Sequence, residues 1–143
     1  MKDKTTKMLQ KCSLGAKMGV SGINAAQRYV GDPKLLFLLS EYKEKHRAIA
    51  EEADALLHER GEKSKSPSRA TLKIARAVTA ARVAVKPGDM HIAQMIIRSG
   101  ESALERLAGL LSSCKEADAS AKETVKKTVL TEQEFLRKIR ECL

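Results

Sequence analysis

The chain has 143 residues and a net charge of +9, and 43% of its residues are apolar although only 3% are aromatic. This length suits one domain over residues 1–143, with a core of aliphatic and small side chains that favours packed helices over a sheet. We find no run of about 18 apolar residues, which argues against a membrane-spanning segment. The three cysteines lack Cys-x-x-Cys spacing, so we expect a reducing environment and a cytoplasmic protein without a membrane partner.

The first predicted helix covers about residues 5–30, where apolar or small residues recur at spacings of three and four. Gly15, Gly19 and Gly22 lie inside it, and each costs up to about 1 kcal/mol relative to alanine in a helix. Their shared side predicts that a neighbouring helix approaches closely. Room for a bound ligand is the alternative.

The second predicted helix is marked at both ends by its residues. Asp32 suits the cap, Pro33 suits the first turn, and Gly61 suits the left-handed position just beyond the end. His46 lies mid-helix on the apolar face, so the pattern predicts a buried histidine. The other members of that face are Leu35, Leu39, Tyr42, Ile49, Ala53 and Leu56.

The third predicted helix, residues 66–85, is the shortest and suits a crossover between two helix pairs. Its apolar stripe, expected to face the bundle, consists of Ile74, Val78, Ala81 and Val85. Residues 63–88 hold seven Lys or Arg residues and no acid, and such a surface attracts polyanions. We therefore hypothesise that Arg69, Lys73 and Arg76 contact nucleic acid or another polyanion. A solvated face that only maintains solubility is the alternative.

The fourth predicted helix covers about residues 90–113, with Asp89 as its cap. The fifth begins at Ser120, whose spacing from Glu123 matches a capping box, and Glu132 occupies a position on its apolar stripe. Five helices with short links predict an all-α fold, namely a four-helix bundle with an additional crossover helix.

A faint internal repeat relates the first helix to the fourth. The segments KMGVSGI, residues 17–23, and RSGESAL, residues 98–104, each place a base before glycine, serine and an aliphatic residue. The alignment pairs Gly19 with Gly100. Two helix pairs joined by a long crossover would place these glycines in related positions.

Together with EYKEKH (41–46) and HIAQMIIRSGESA (91–103), these features make the chain resemble the ferritin-like superfamily, and in particular a group without an assigned activity. That resemblance implies a di-iron site with one Glu on the first and third bundle helices and Glu-x-x-His on the second and fourth. The corresponding residues here are Val20, Lys43 with His46, Glu101, and Glu132 with Phe135. Only half of the ligands remain, and a lysine occupies one position. We therefore expect the di-iron centre to be lost, because it needs several anionic oxygens.

The leading interpretation is a non-enzymatic, ferritin-like structural or interaction protein that forms a homo-oligomer and needs no cofactor. One alternative is a mononuclear metal-binding protein that uses His46, Glu101 and Glu132. A second alternative is polyanion binding through the basic third helix. A polar layer in which His46 and the two glutamates pair with each other or with nearby bases would instead have only a structural role.

Overall fold

The computed structural model describes residues 3–143, so the first two residues of the predicted domain lie outside the described part of the chain. These 141 residues contain five α-helices and no strand, which confirms the all-α prediction. The helices are α1 (Lys4–Gln27), α2 (Pro33–Glu59), α3 (Arg69–Val85), α4 (Asp89–Ser113) and α5 (Ala119–Glu141).

The predicted limits of α2 are confirmed by its caps. The Asp32 carboxylate accepts a hydrogen bond from the Lys34 backbone N–H, and Pro33 is the first helical residue. Gly61 has a φ angle of 70°, a left-handed conformation that costs a glycine little. The helix therefore ends where the chain must reverse direction.

The predicted capping box of α5 is wrong. The helix begins at Ala119, one residue before Ser120, and Asp118 is its N-cap residue without a side-chain cap bond. Instead, the Asp118 backbone N–H donates to Thr5 Oγ1 over 2.8 Å. A contact with α1 thus replaces the local cap that the spacing indicated.

Four of the helices form two antiparallel pairs, α1 with α2 and α4 with α5. The pairs meet through contacts of α1 with α4 and of α2 with α5. Because α2 ends at one end of the bundle and α4 starts at the other, the segment 60–88, which contains α3, runs back along its length. The observed path agrees with the predicted crossover.

Polar contacts fasten the two helix pairs at both ends. At one end, Arg60 binds Asp3 through Nη2 and Asp118 through Nη1, each over 2.8 Å. At the other, the Asp89 carboxylate accepts the backbone N–H groups of Gly31 and Asp32 over 2.9 and 2.7 Å. Asp89 was expected to cap α4, but it is the first residue of α4 and binds the α1–α2 connection instead.

The apolar interior consists of two clusters, one in each half of the bundle. One cluster contains Leu39, Tyr42 and Phe135, and the other contains Met8, Leu57 and Val125. Along α2 and α5, the clusters are separated by His46 and Glu132, which are buried although polar. The bundle therefore has a polar layer near its middle.

The predicted orientation of α3 is wrong. Ile74, Val78 and Val85 were expected to face the bundle, but their side chains are 65%, 44% and 87% exposed. Val83 is the one buried residue of α3, and the helix packs against α1. The half-buried residues of α3 are Leu72, Ala75, Thr79 and Ala80, which lie with Val83 on the side away from the predicted stripe, whereas the bases of α3 are exposed.

Within residues 3–143, no helix combines the length and the apolar composition that crossing a bilayer would require.

Candidate functional site

A buried ion pair joins α2 to α5 at the polar layer. His46 Nε2 lies 2.6 Å from Glu132 Oε2, and the two residues are only 5% and 7% exposed. His46 Nδ1 lies 2.6 Å from the carbonyl oxygen of Tyr42, one turn earlier. Both ring nitrogens of His46 therefore have a partner within the protein.

The partners of His46 determine its protonation. A carbonyl oxygen can only accept a hydrogen bond, so Nδ1 carries a proton and donates to Tyr42. Burial lowers the pKa of His46, but the hydrogen bond and charge of Glu132, together with the Tyr42 carbonyl, more than offset burial and leave the pKa raised. The arrangement favours an imidazolium that donates from Nε2 to the Glu132 carboxylate.

His46 and Glu132 each pack against a neighbouring helix at a glycine, where no side chain covers the backbone. A Cβ placed on Gly19 would lie 2.8 Å from His46 Cδ2, and one placed on Gly100 would lie 2.8 Å from Glu132 Oε1 and 2.5 Å from Leu136 Cδ2. In each helix pair, the glycine of the first helix thus makes room for the polar residue of the second. The glycine pairing in the internal repeat corresponds to this arrangement.

The prediction of close approach along α1 holds only at Gly19. Gly15 and Gly22 are exposed, and a Cβ on either would meet no heavy atom within 4 Å. The spacing of the three glycines did not distinguish among them, because residues three and four apart share a broad face.

Aromatic rings complete the surroundings of His46. The Phe135 ring packs edge-on against the imidazole, with centroids 5.8 Å apart, and stacks on Tyr42 at 4.7 Å. Phe135 occupies the position where the ferritin-like resemblance implies a histidine. This position therefore carries a hydrocarbon ring and no ligand atom.

The structure brings together two of the three predicted metal ligands and separates the third. Glu101 is exposed on α4, and its Oε1 lies 2.6 Å from Arg140 Nη2. Lys43, which the ferritin-like resemblance aligns with a ligand position, is half-buried and donates to Gln27 Oε1 over 3.2 Å. In the described part of the chain, no group of three or more His, Cys, Asp or Glu residues is placed to hold a metal ion.

The predicted polyanion-binding residues lie on α3, and only one of them lines a concave surface. Arg76 contributes to a groove of about 640 Å³ between α1 and α3, whereas Arg69 and Lys73 are exposed on the helix and do not line it. The groove also contains Lys17 and Arg28. The predicted polyanion-binding set did not include Lys17 and Arg28, because they lie in and just after α1, outside the acid-free segment 63–88.

Comparisons with protein-family models, curated proteins and solved structures found no match for this chain.

The raised pKa of His46 predicts a pH dependence of stability. The ion pair contributes fully below the unfolded-state pKa of about 6.5, and its contribution is lost as the pH rises through the higher folded-state pKa. The stability advantage of the wild-type protein over His46→Gln should therefore shrink with rising pH, by about 1.4 kcal/mol in total for each unit by which the folded pKa exceeds the unfolded one. Urea unfolding of both proteins from about pH 6 to pH 9 measures this difference. A difference that stays constant or grows across this range would contradict the assignment.

The glycine contacts predict opposite effects for neighbouring substitutions. Gly19→Ala and Gly100→Ala should each destabilise the fold by about 1–3 kcal/mol, because the added methyl overpacks the ion pair. The matched controls Gly15→Ala in α1 and Gly109→Ala in α4 meet open space and should gain up to about 1 kcal/mol from helix propensity. Thermal and urea unfolding of the four variants gives the comparison. Equal effects within each helix would refute the close approach.

Proposed function

We propose that this protein is a non-enzymatic, ferritin-like bundle that has lost the di-iron centre and acts as a structural or interaction protein through its surface. The observation that carries the proposal is the buried pair of His46 with Glu132. This pair occupies the middle of the bundle, where the resemblance implies a metal centre. Both ring nitrogens of His46 already have partners within the protein, so a metal ion would have to compete with the Glu132 contact and displace a proton.

The helix arrangement supports the ferritin-like part of the proposal. In that fold, two antiparallel helix pairs are joined by one long crossover, and the chain here follows the same path. The remaining ligand positions do not fit a dimetal cluster. Glu101 binds Arg140 at the surface, Phe135 is a hydrocarbon, and Val20 has no ligand atom.

Metal analysis tests the loss of the centre. Protein purified without chelator and then dialysed should contain far less than one metal ion per chain by elemental analysis. Excess Fe(II), Mn(II) or Zn(II) should leave its melting temperature unchanged, because a ligand that binds the folded state would raise it. The protein with added iron should also show no turnover of peroxide.

A variant supplies the positive control for these measurements. Phe135→His places a third nitrogen or oxygen ligand beside His46 and Glu132, and three such ligands suffice for an open zinc site. We expect Zn(II) to raise the melting temperature of this variant but not of the wild-type protein. Stoichiometric metal in the wild-type protein that disappears in His46→Gln would instead establish the mononuclear site and overturn the proposal.

Self-association is part of the proposal, and α3 offers the surface that supports it. Ile74, Val78 and Val85 form an exposed apolar row, and exposed apolar rows of this kind mark interaction sites more often than isolated residues do. Because α3 covers the outside of α1, a second copy can reach this row without any change in the bundle.

Sedimentation analysis tests this part separately. The wild-type chain should sediment as an oligomer, and the double variant Ile74→Gln/Val78→Gln should shift toward the monomer because its apolar contact area is reduced. Leu130→Gln, at an apolar residue of α5 that is 67% exposed, is the matched control and should leave the distribution unchanged. A monomeric wild-type protein would remove self-association from the proposal without affecting the metal result.

A further inference from the structure

The groove between α1 and α3 has the composition of an anion-binding site. Three cations line it, namely Lys17 from α1, Arg28 just after α1, and Arg76 from α3. None of the described residues that line the groove is acidic. Its volume of about 640 Å³ lies within the usual range for small-molecule sites.

The cations differ in how far their charges are already neutralised. Lys17 Nζ lies 2.9 Å from Asp54 Oδ2 and also donates to the carbonyl of Lys65 and to Ser66 Oγ. Among residues 3–143, by contrast, no carboxylate forms an ion pair with Arg28 or Arg76. Lys17 is therefore held in place, and the two guanidinium groups leave two positive charges available to a ligand.

The segment that leads into α3 adds to the positive potential. Ser66 and Pro67 line the groove just before the N-cap residue Ser68, and the first turn of α3 contains no acidic residue. The N-terminal end of a helix carries a partial positive charge from its unpaired backbone N–H groups. The hydroxyl of Ser21 and the amide of Asn24 line the same groove and can donate hydrogen bonds to anionic oxygens.

Apolar residues form the remaining lining. Val20 and Ala25 come from α1, and Leu72 comes from α3. An inorganic ion would leave these side chains exposed to water. An organic group attached to a phosphoryl group would cover them, and the burial of apolar surface would strengthen binding.

From these observations we propose that the groove binds a small organic phosphate. Arg28 and Arg76 bind its phosphoryl oxygens, since guanidinium groups match phosphate geometry with two parallel hydrogen bonds. The apolar lining contacts the organic body. The site goes beyond the metal-free bundle proposed above and does not depend on it, because it lies on the outer side of α1.

Isothermal titration with ADP and with pyrophosphate tests the site. Both should bind saturably at one site per chain, and ADP should bind more tightly because its nucleoside covers the apolar lining. Arg28→Gln and Arg76→Gln should each weaken ADP binding about tenfold or more, because each loses at least one charge-assisted hydrogen bond. Amide shifts of Ser21 and Asn24 in NMR spectra should follow the same titration.

Arg82→Gln is the matched control, because it removes the same charge from an exposed position of α3 outside the groove. It should leave ADP binding unchanged, and circular dichroism melting should show that all three variants remain folded. Absence of saturable ADP binding, or equal weakening by Arg82→Gln and Arg76→Gln, would overturn the site. Equal affinities for ADP and pyrophosphate would contradict the proposed contact between the organic part of the ligand and the apolar lining.

A duplex DNA titration distinguishes the groove from a diffuse basic surface. If the positive charge of α3 serves an extended polyanion, duplex DNA will bind with a steep salt dependence. In that case Arg69→Gln, Lys73→Gln and Arg82→Gln will weaken DNA binding as much as Arg76→Gln does. That result, together with weak ADP binding, would replace the organic phosphate with a nucleic acid.

Discussion

The ion pair between His46 and Glu132 determines what the middle of this bundle can contain. Two charged side chains removed from water need each other, and removing one partner of such a pair typically costs about 3–5 kcal/mol. The pair fits because Gly19 and Gly100 let it lie against bare helix backbone. The two apolar clusters can therefore pack above and below it. The polar layer between the two clusters is therefore built on this one contact.

The two helix pairs accommodate a buried polar side chain in the same way. In each pair, a glycine near the middle of the first helix receives a polar side chain from the second. One pair supplies a base and the other an acid, so the two halves neutralise each other across the centre. The faint repeat therefore pairs the two glycines, whereas the residues that contact them, His46 and Glu132, differ in charge.

Much of the fold could be predicted from capping residues and from the spacing of apolar residues, and each wrong prediction has a physical cause. Asp32, Pro33 and Gly61 marked the limits of α2 because caps and left-handed turns demand few residue types. Glu101 was predicted to lie in the interior, but it is exposed. Gly100 already lay on the apolar stripe, and the residue that follows it is rotated by about 100° around the helix. The orientation of α3 was not predictable from its stripe, because its alanines allow either side to pack against α1. Of the candidate site, the sequence indicated His46, Glu132 and the paired glycines, and one of its alternatives paired His46 with a glutamate. It did not indicate that Gly19 receives His46 and Gly100 receives Glu132.

The contacts that join the two helix pairs at their ends involve Arg60, Asp89 and their partners, and none of them belongs to α3. The positions of the four long helices therefore do not depend on α3, which is held on the bundle by Val83 and by the hydrogen bonds of Lys17 to Lys65 and Ser66. Substitutions on the exposed side of α3 can thus change its surface without disturbing the buried layer between α2 and α5.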